Sequence, residues 1–318
     1  MSKELAEAQG SELDNSGDSS LGSDYVTNSS SGLIRTNWKK ILLYNKTTFI
    51  SALFLFLTIV VLLVTPLLPL LDPAKLDTSN RLLSPFESWT HPLGTDDLGR
   101  DILSRILWGG RVSLVAGLSA AAISVGIGSF FGLIAGYSQS VGQHIVMRVV
   151  DVMMAFPPLI LAIAIVGALG PELKNAVIAA GVIGIPLYAR VIRSIVLVEK
   201  ETDYVLATRA LGAAGRRIVL RHITPATFPT LSVFVTLDIG YKIIVTAGMS
   251  FLGLGSQPPA SDWGAMLADG RSFLTTAPHL VTVPGVSIFL VVLALNLLGD
   301  CLRDILDPRI SIESTRSR

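Results

Sequence analysis

The stretch VSLVAGLSAAAISVGIGSFFGLIAGY, residues 112–137, contains no Asp, Glu, Lys, Arg or His. A helix needs about 20 predominantly apolar residues to cross the hydrocarbon core of a bilayer. A single strand would leave backbone polar groups unpaired in lipid, so a segment that crosses the bilayer alone must be helical. This stretch therefore predicts a transmembrane helix.

Five further stretches have the same apolar character. They cover about residues 48–71, 149–169, 176–198, 228–254 and 280–302. The stretch at 149–169 contains Pro157-Pro158, which must kink or break a helix because proline removes a backbone donor and clashes with the preceding turn. The pattern as a whole predicts an all-α transmembrane fold, a six-helix bundle.

The composition favours the same class. Only 15% of the residues are charged, whereas soluble domains carry about 25%, and the mean hydropathy is +0.60. One soluble core of this length could not hide so much apolar surface. The formal net charge of +1 gives no indication of nucleic-acid binding.

Residues 1–32 differ from the rest because they are rich in Ser, Gly, Asp, Glu and Asn. Such a segment cannot bury enough apolar surface to offset its ordering entropy, so we expect a disordered cytoplasmic tail. It has no basic start followed directly by an apolar run, so we do not interpret it as a signal peptide.

Basic residues near the spans predict the orientation, since cytoplasmic loops carry an excess of Lys and Arg. They precede the first span at Arg35, Lys39, Lys40 and Lys46, and they follow the last at Arg303, Arg309, Arg316 and Arg318. We therefore expect both termini in the cytoplasm. The expected division is 33–71 for the N-terminal segment and first span, 72–111 for an extracytoplasmic loop, 112–309 for a core with five spans, and 310–318 for a C-terminal tail.

The segment 199–225 between the fourth and fifth spans is long enough to form structure of its own. Apolar residues from Val205 to Leu211 return at helical spacing, and Gly212 and Gly215 permit a sharp turn. A second short helix is predicted over 216–222, with Pro225 stopping it before the fifth span. Two interpretations stay open: a knob that another protein grips, or a basic loop that only anchors the topology.

This segment resembles the EAA loop of ABC-type importer permeases, with matching spacing between Gly212 and Pro225. The tripeptide Ala210-Leu211-Gly212 and the block 221–223, Arg-His-Ile, are similar to the peptide branch of that family. Further similar blocks lie at 91–105, 250–255 and 296–309. Four blocks in order are similar to the second permease of dipeptide, oligopeptide, nickel or glutathione importers.

The resemblance implies a type I ABC importer permease fold with cytoplasmic coupling helices, in the plasma (inner) membrane of a prokaryote. It implies a second homologous permease subunit, two ATPase subunits that hold the ATP and Mg²⁺, and an extracytoplasmic substrate-binding protein. The ATPase-coupling residues that it implies are Asp203, Tyr204, Leu206, Ala207, Ala210, Leu211, Gly212, Arg216, Arg217 and Arg221. The solute would be a short peptide or a related small molecule.

Ionisable residues at membrane depth are costly and usually functional. Asp238 and Lys242 are four residues apart in the fifth predicted span, so they share one helix face. They either line a translocation path or gate, or only neutralise each other. Ser250 and Phe251 begin a stretch rich in small residues that is either an outer gate or a plain helix end.

The charge pair also supports an alternative, a self-sufficient secondary transporter or channel; a third hypothesis is a non-transport scaffold. The sequence contains no phosphate-binding Gly-x4-Gly-Lys-Ser/Thr motif. The four histidines are scattered, and Cys301 is the single cysteine. We therefore expect no catalytic residues, metal site or cofactor in this chain, and any ATP hydrolysis in partner subunits.

Overall fold

The computed structural model describes residues 46–138 and 141–306. The predicted tail at 1–32, the basic residues Arg35, Lys39 and Lys40, and the C-terminal segment from 307 onwards lie outside the described residues. Within the described ranges the chain forms helices and turns, with two isolated β-bridges and no strand.

The helices are numbered here in chain order. They are α1 (Lys46–Val64), α2 (Ile102–Tyr137), α3 (Val141–Met154), α4 (Pro158–Leu169), α5 (Leu173–Val182), α6 (Ile185–Glu199), α7 (Asp203–Ala210), α8 (Gly215–Ile218), α9 (Thr224–Phe251), α10 (Trp263–Gly270) and α11 (His279–Leu306). Short 3₁₀ turns follow α1 and α10, another lies at Thr78–Asn80, and a π turn at Val219–Ile223 joins α8 to α9.

In the part of the chain that the structure describes, five helical segments are long and apolar enough to cross a membrane. They are Lys46–Leu67, Ile102–Tyr137, Leu173–Glu199, Gly215–Phe251 and His279–Ile305. The third predicted span is not one helix, because α3 and α4 meet at an angle of 98°. Pro158 opens α4, where its fixed φ and missing donor are tolerated, whereas neither proline could lie in a helix interior without breaking it. The count is therefore five spans, or six if the bent pair is one span.

Helix α2 begins earlier than the sequence pattern indicated. It starts at Ile102, where the Asp101 carboxylate caps it by accepting a hydrogen bond from Ser104 N at 2.8 Å. The last ten residues of the predicted loop, 102–111, thus belong to the same helix as the second predicted span. The apolar pattern missed this because Arg105 lies in the first turns, where it is only 2% exposed and paired with carboxylates.

Helix α2 packs against α6 through the glycines at 128, 132 and 136. A Cβ atom added at Gly128 would lie 2.6 Å from Tyr188 Cβ, and one at Gly132 would lie 2.7 Å from Ile192 Cβ. Small residues let two helix backbones approach closely in a membrane, where the hydrophobic effect gives little attraction between helices. The glycine stripe therefore packs inside the subunit.

We expect Gly132→Leu to destabilise the subunit by about 1–3 kcal/mol, because the new side chain must displace Ile192 and the carbonyl oxygen of Ala189. Thermal unfolding of the detergent-solubilised protein measures the loss. Gly126→Leu is the matched control, since a Cβ there meets nothing within 4 Å. Equal losses in the two variants would contradict the assignment of the packed face.

Candidate functional site

The segment after α6 forms a compact projection made of α7, a turn, α8 and the π turn, which we call the coupling loop (199–225). Gly212 has a φ of +82°, a conformation that glycine adopts at little cost. The turn thus lies at the position that the sequence pattern gave it. Pro225 does not stop the second short helix, however, because it lies in the first turn of α9, where a missing N–H costs nothing.

A small apolar cluster fixes the coupling loop to the membrane helices. Val205 and Ile223 are fully buried, and Ile218 is 1% exposed. They pack with Ile192 and Val196 of α6. The geometry of the loop is therefore tied to the orientation of α6.

The predicted coupling residues all lie on the surface of this projection. All ten are exposed: Asp203, Tyr204, Leu206, Ala207, Ala210, Leu211, Gly212, Arg216, Arg217 and Arg221. Four of them, Leu211, Gly212, Arg217 and Arg221, line one open hollow of about 430 Å³ together with Thr208, Ala213 and His222. Within the described part of the chain, no arginine of the loop forms an ion pair. The surface is thus apolar and cationic at once.

Tyr204 holds the two ends of the coupling loop together. Its hydroxyl donates a hydrogen bond to the Glu199 carboxylate at the end of α6, and its ring lies 6.0 Å from the His222 ring. Partial burial, followed by the bond to Glu199, raises the pKa of Tyr204 above its ordinary value. Neither Glu199 nor His222 was among the predicted site residues, because a carboxylate five residues before a tyrosine gives no recognisable motif.

The predicted charge pair lies inside the subunit. Lys242 Nζ is 3.7 Å from Asp238 Oδ1, and the two residues are 0% and 8% exposed. Tyr188 of α6 donates a hydrogen bond from its hydroxyl to Asp238 Oδ2 at 3.1 Å. Tyr188 was not predicted, since nothing in the sequence links positions 50 residues apart. The three side chains join α6 to α9, the two helices that flank the coupling loop.

The ammonium group of Lys242 lies in the space that the missing side chain of Gly184 leaves open. A Cβ added at Gly184, between α5 and α6, would lie 2.4 Å from Lys242 Nζ and 2.3 Å from Ser124 Oγ. The break between these two helices therefore opens room for a buried cation. Within the described residues Nζ donates no hydrogen bond, and it forms an ion pair with Asp238 Oδ1 at 3.7 Å.

The two predicted gate residues at the end of α9 face different ways. Ser250 is 2% exposed and donates to Asp262 Oδ2 at 2.8 Å, whereas Phe251 is 37% exposed. Asp262 also caps α10 by accepting from Ala265 N at 2.9 Å. Asp262 was missed, although an Asp directly before Trp263 is a typical N-cap signal.

A cluster of four charged residues, which we call the outer-loop cluster, fastens the predicted extracytoplasmic loop (72–111) to α10. Asp96 Oδ2 accepts from Arg100 Nε at 2.6 Å and also from Arg105 Nη1. Asp269 Oδ2 accepts from Arg100 Nη2 at 3.2 Å and from Arg105 Nη2 at 3.1 Å. Nearby, His91 Nδ1 lies 3.0 Å from Asp101 Oδ1. Asp96, Arg100 and Arg105 all lie in the motif block at 91–105, whereas no sequence pattern linked them to Asp269 on α10.

Asp77, in the same loop, is half-buried and accepts hydrogen bonds from its neighbours. Hydrogen bonds from Ser79 and then Asn80 lower the pKa of this carboxyl group below its ordinary value. It therefore remains charged and orders a short turn, without a chemical role of its own.

We expect Arg105→Ala to cost about 3–5 kcal/mol, because it removes one partner of a buried ion pair and leaves Asp96 undercompensated. Asp269→Ala should cost about 1 kcal/mol or less, since the Asp269 side chain is 42% exposed. Thermal unfolding of the two purified variants checks the order. A larger loss for Asp269→Ala would show that the fastening depends on α10 and not on the buried carboxylate.

Among the described residues, no group of three or more His, Cys, Asp or Glu side chains could hold a metal ion. The charged clusters found are instead ion pairs that fasten one segment of the chain to another.

Comparison with known proteins agrees with this architecture. Residues 128–312 match the family described as binding-protein-dependent transport system inner membrane component. The glutathione transport system permease protein GsiD of Pectobacterium atrosepticum is 47% identical over 223 residues, which cover 70% of this chain and 74% of the relative. The dipeptide transport system permease protein DppC of Alkalihalophilus pseudofirmus is 42% identical over 266 residues, which cover 84% and 87%.

Among solved structures, a chain of the MetNI methionine ABC transporter in an inward-facing conformation superposes with a TM-score of 0.53 at 19% identity. The match covers 64% of this chain and 97% of that one, and it supports the type I importer permease fold. The chain therefore belongs to the binding-protein-dependent transport system inner membrane components, and it is a multi-pass permease subunit of an ABC importer, a transport component rather than an enzyme.

Proposed function

We propose that the chain forms one half of the translocation pathway of an importer for short peptides, including tripeptides such as glutathione. A second, homologous permease forms the other half. Two ATPase subunits, which bind ATP and Mg²⁺, dock on the cytoplasmic side, and an extracytoplasmic binding protein delivers the solute. The observation that carries the proposal is the structure of the coupling loop. Its exposed surface is both apolar and cationic, and its buried apolar side chains pack against α6.

The proposed orientation places the coupling loop and both termini in the cytoplasm, and residues 72–111 outside. Lys200, Arg209 and the three arginines from 216 to 221 support it, since short cytoplasmic loops are rich in basic residues. In this arrangement the outer-loop charge cluster faces the binding protein. The remaining boundaries proposed are 33–71 for the first span and 112–309 for the core, with tails at 1–32 and 310–318.

In the proposed coupling mechanism, the coupling loop transmits a movement of the ATPase subunits to the membrane helices. Closure of the ATPase subunits moves α7 and the turn at Gly212, and the buried Val205 and Ile218 pass the movement to α6. The hydrogen bond from Tyr188 to Asp238 then makes α6 and α9 move together. Each state of the pathway must be favoured by its own contacts, because a ligand shifts an equilibrium only by its differential affinity for the two states.

We assign Asp238, Lys242, Ser250 and Phe251 to the gate of the pathway. The charge pair would set the arrangement of α9 from inside the subunit, and Phe251, which is 37% exposed, would present the contact surface. Ser250 would hold the end of α9 through its bond to Asp262.

The first test is to tag the chain, extract it in mild detergent and identify bound proteins by mass spectrometry. Recovery of a second permease and of ATPases with Walker motifs is expected. Recovery of the chain alone, under conditions that keep a known importer intact, would favour a secondary transporter that uses Asp238 and Lys242. Uptake of labelled dipeptide in competition with glutathione then decides the preferred peptide.

A further inference from the structure

The outer-loop cluster borders a cavity that the coupling mechanism does not use. The cavity has a volume of about 130 Å³ and lies between the start of α2, the segment after α9, and α10. Its polar lining comes from Arg100, Arg105, Ser250, Ser256, Gln257 and Asp269. A second hollow behind Arg105 measures only about 10 Å³ and has no room for a ligand.

Two buried side chains of this lining carry a polar atom without a partner. Arg105 is 2% exposed and Ser256 is 7% exposed. Within the described residues, Arg105 Nε and Ser256 Oγ form no hydrogen bond. An unsatisfied buried donor costs about 1–3 kcal/mol, so both atoms favour an occupant that accepts hydrogen bonds.

The charges of the outer-loop cluster indicate which chemical groups the occupant of the cavity carries. Asp96 and Asp269 balance Arg100 and Arg105, so the four residues carry no net charge. A free inorganic anion would gain little from such a neutral site. A carboxylate attached to a molecule with a positive group fits better, because its oxygens match the fork of a guanidinium and Asp269, 42% exposed at the side chain, offers an acceptor for an ammonium.

The size of the cavity fits one end of a peptide. A water molecule takes about 30 Å³ of liquid volume, so the cavity holds about four. That space suits a carboxylate with its neighbouring atoms, so the remainder of the solute must lie outside the cavity.

We propose that this cavity binds the terminal carboxylate of the zwitterionic solute on the extracytoplasmic side, next to the gate residues Ser250 and Phe251. The inference rests on the proposed peptide-import function and adds a contact site to it. Arg105 Nε and Ser256 Oγ donate to the carboxylate, and the fixed ion pairs with Asp96 and Asp269 keep the guanidinium in place before the solute arrives.

The test uses the complete permease–ATPase complex in nanodiscs, without the binding protein, and saturation-transfer NMR with the dipeptide Ala-Ala as the probe. Wild type should give a saturable signal that Ala-Ala amide does not give. Ser256→Ala should weaken Ala-Ala binding roughly tenfold, the effect of one hydrogen bond to a charged group. Ala268→Leu, which fills the cavity from α10, should abolish it.

Ser129→Ala is the matched control, because Ser129 Oγ is also buried and unpartnered but lies in α2 outside the cavity lining. It should leave Ala-Ala binding unchanged. Equal signals from the peptide and its amide, or competition by sulfate as strong as that by Ala-Ala, would overturn the inference.

These measurements test the cavity site separately from the proposed import function. A complex that assembles and imports peptide, but whose Ser256→Ala variant binds Ala-Ala as wild type does, refutes only the cavity site. If Ser256→Ala weakens the affinity for the binding protein and not for Ala-Ala, the cavity receives a side chain of that protein and the solute site is refuted.

Discussion

The Gly212→Val variant is expected to insert and fold normally, yet to lose at least nine-tenths of its uptake. Gly212 has a φ of +82°, and a left-handed conformation costs an L-residue about 1–2 kcal/mol, with β-branched residues the least tolerant. The strain is purely conformational, because a Cβ at this position meets nothing within 4 Å. The turn between α7 and α8 should therefore open, and the docking surface should lose its shape.

The measurement is uptake of labelled dipeptide into cells or proteoliposomes, normalised to the amount of subunit in the membrane. Gly212→Asn is the matched control, since asparagine tolerates positive φ better than most residues and finds the same open space. It should retain a substantial part of the activity. Full uptake by Gly212→Val would refute the coupling role of this turn.

Removing either member of the buried charge pair is expected to have the second large effect. Lys242→Met leaves the Asp238 carboxylate with only the Tyr188 hydroxyl as a partner among the described residues. Breaking a buried pair on one side costs about 3–5 kcal/mol because it leaves an uncompensated charge. We therefore expect a much lower thermal midpoint and little subunit in the membrane.

The double variant Asp238→Asn with Lys242→Met separates the two roles of the pair. It removes both charges, so stability should return close to that of wild type. If the pair acts on the gate, uptake should stay low although the subunit is restored. Full recovery of uptake together with stability would mean that the two charges only neutralise each other. Thermal unfolding and dipeptide uptake, measured on the same preparations, decide between these results.

The sequence predicted the membrane helices well where an apolar run is continuous. At two places it was incomplete, for different reasons. Helix α2 starts ten residues before the predicted span, at Ile102, because Arg105 is neutralised by carboxylates that no local pattern reveals. The span at 149–169 is bent by 98° between α3 and α4; Pro157-Pro158 indicated a break there but could not give its angle.

In the candidate site, too, local structure could be predicted from the sequence, whereas contacts between distant residues could not. The turn at Gly212 follows from local chain chemistry, since glycine next to a helical repeat predicts a reversal. The partners of the charged residues cannot be predicted from local chain chemistry. Asp96 and Asp269 are far apart in the chain but hold the same two arginines, and Tyr188 meets Asp238 across two helices.

The sequence by itself thus determined which segments prefer lipid, how many such segments there are, and where the coupling loop lies, because these depend on the composition and spacing of neighbouring residues. Only the tertiary structure decided which buried charges pair and which glycines pack against a neighbouring helix. It also decided where a cavity lies whose lining includes buried donors without a partner among the described residues. These depend on contacts between residues distant in sequence, and close packing fixes such contacts for the whole bundle at once.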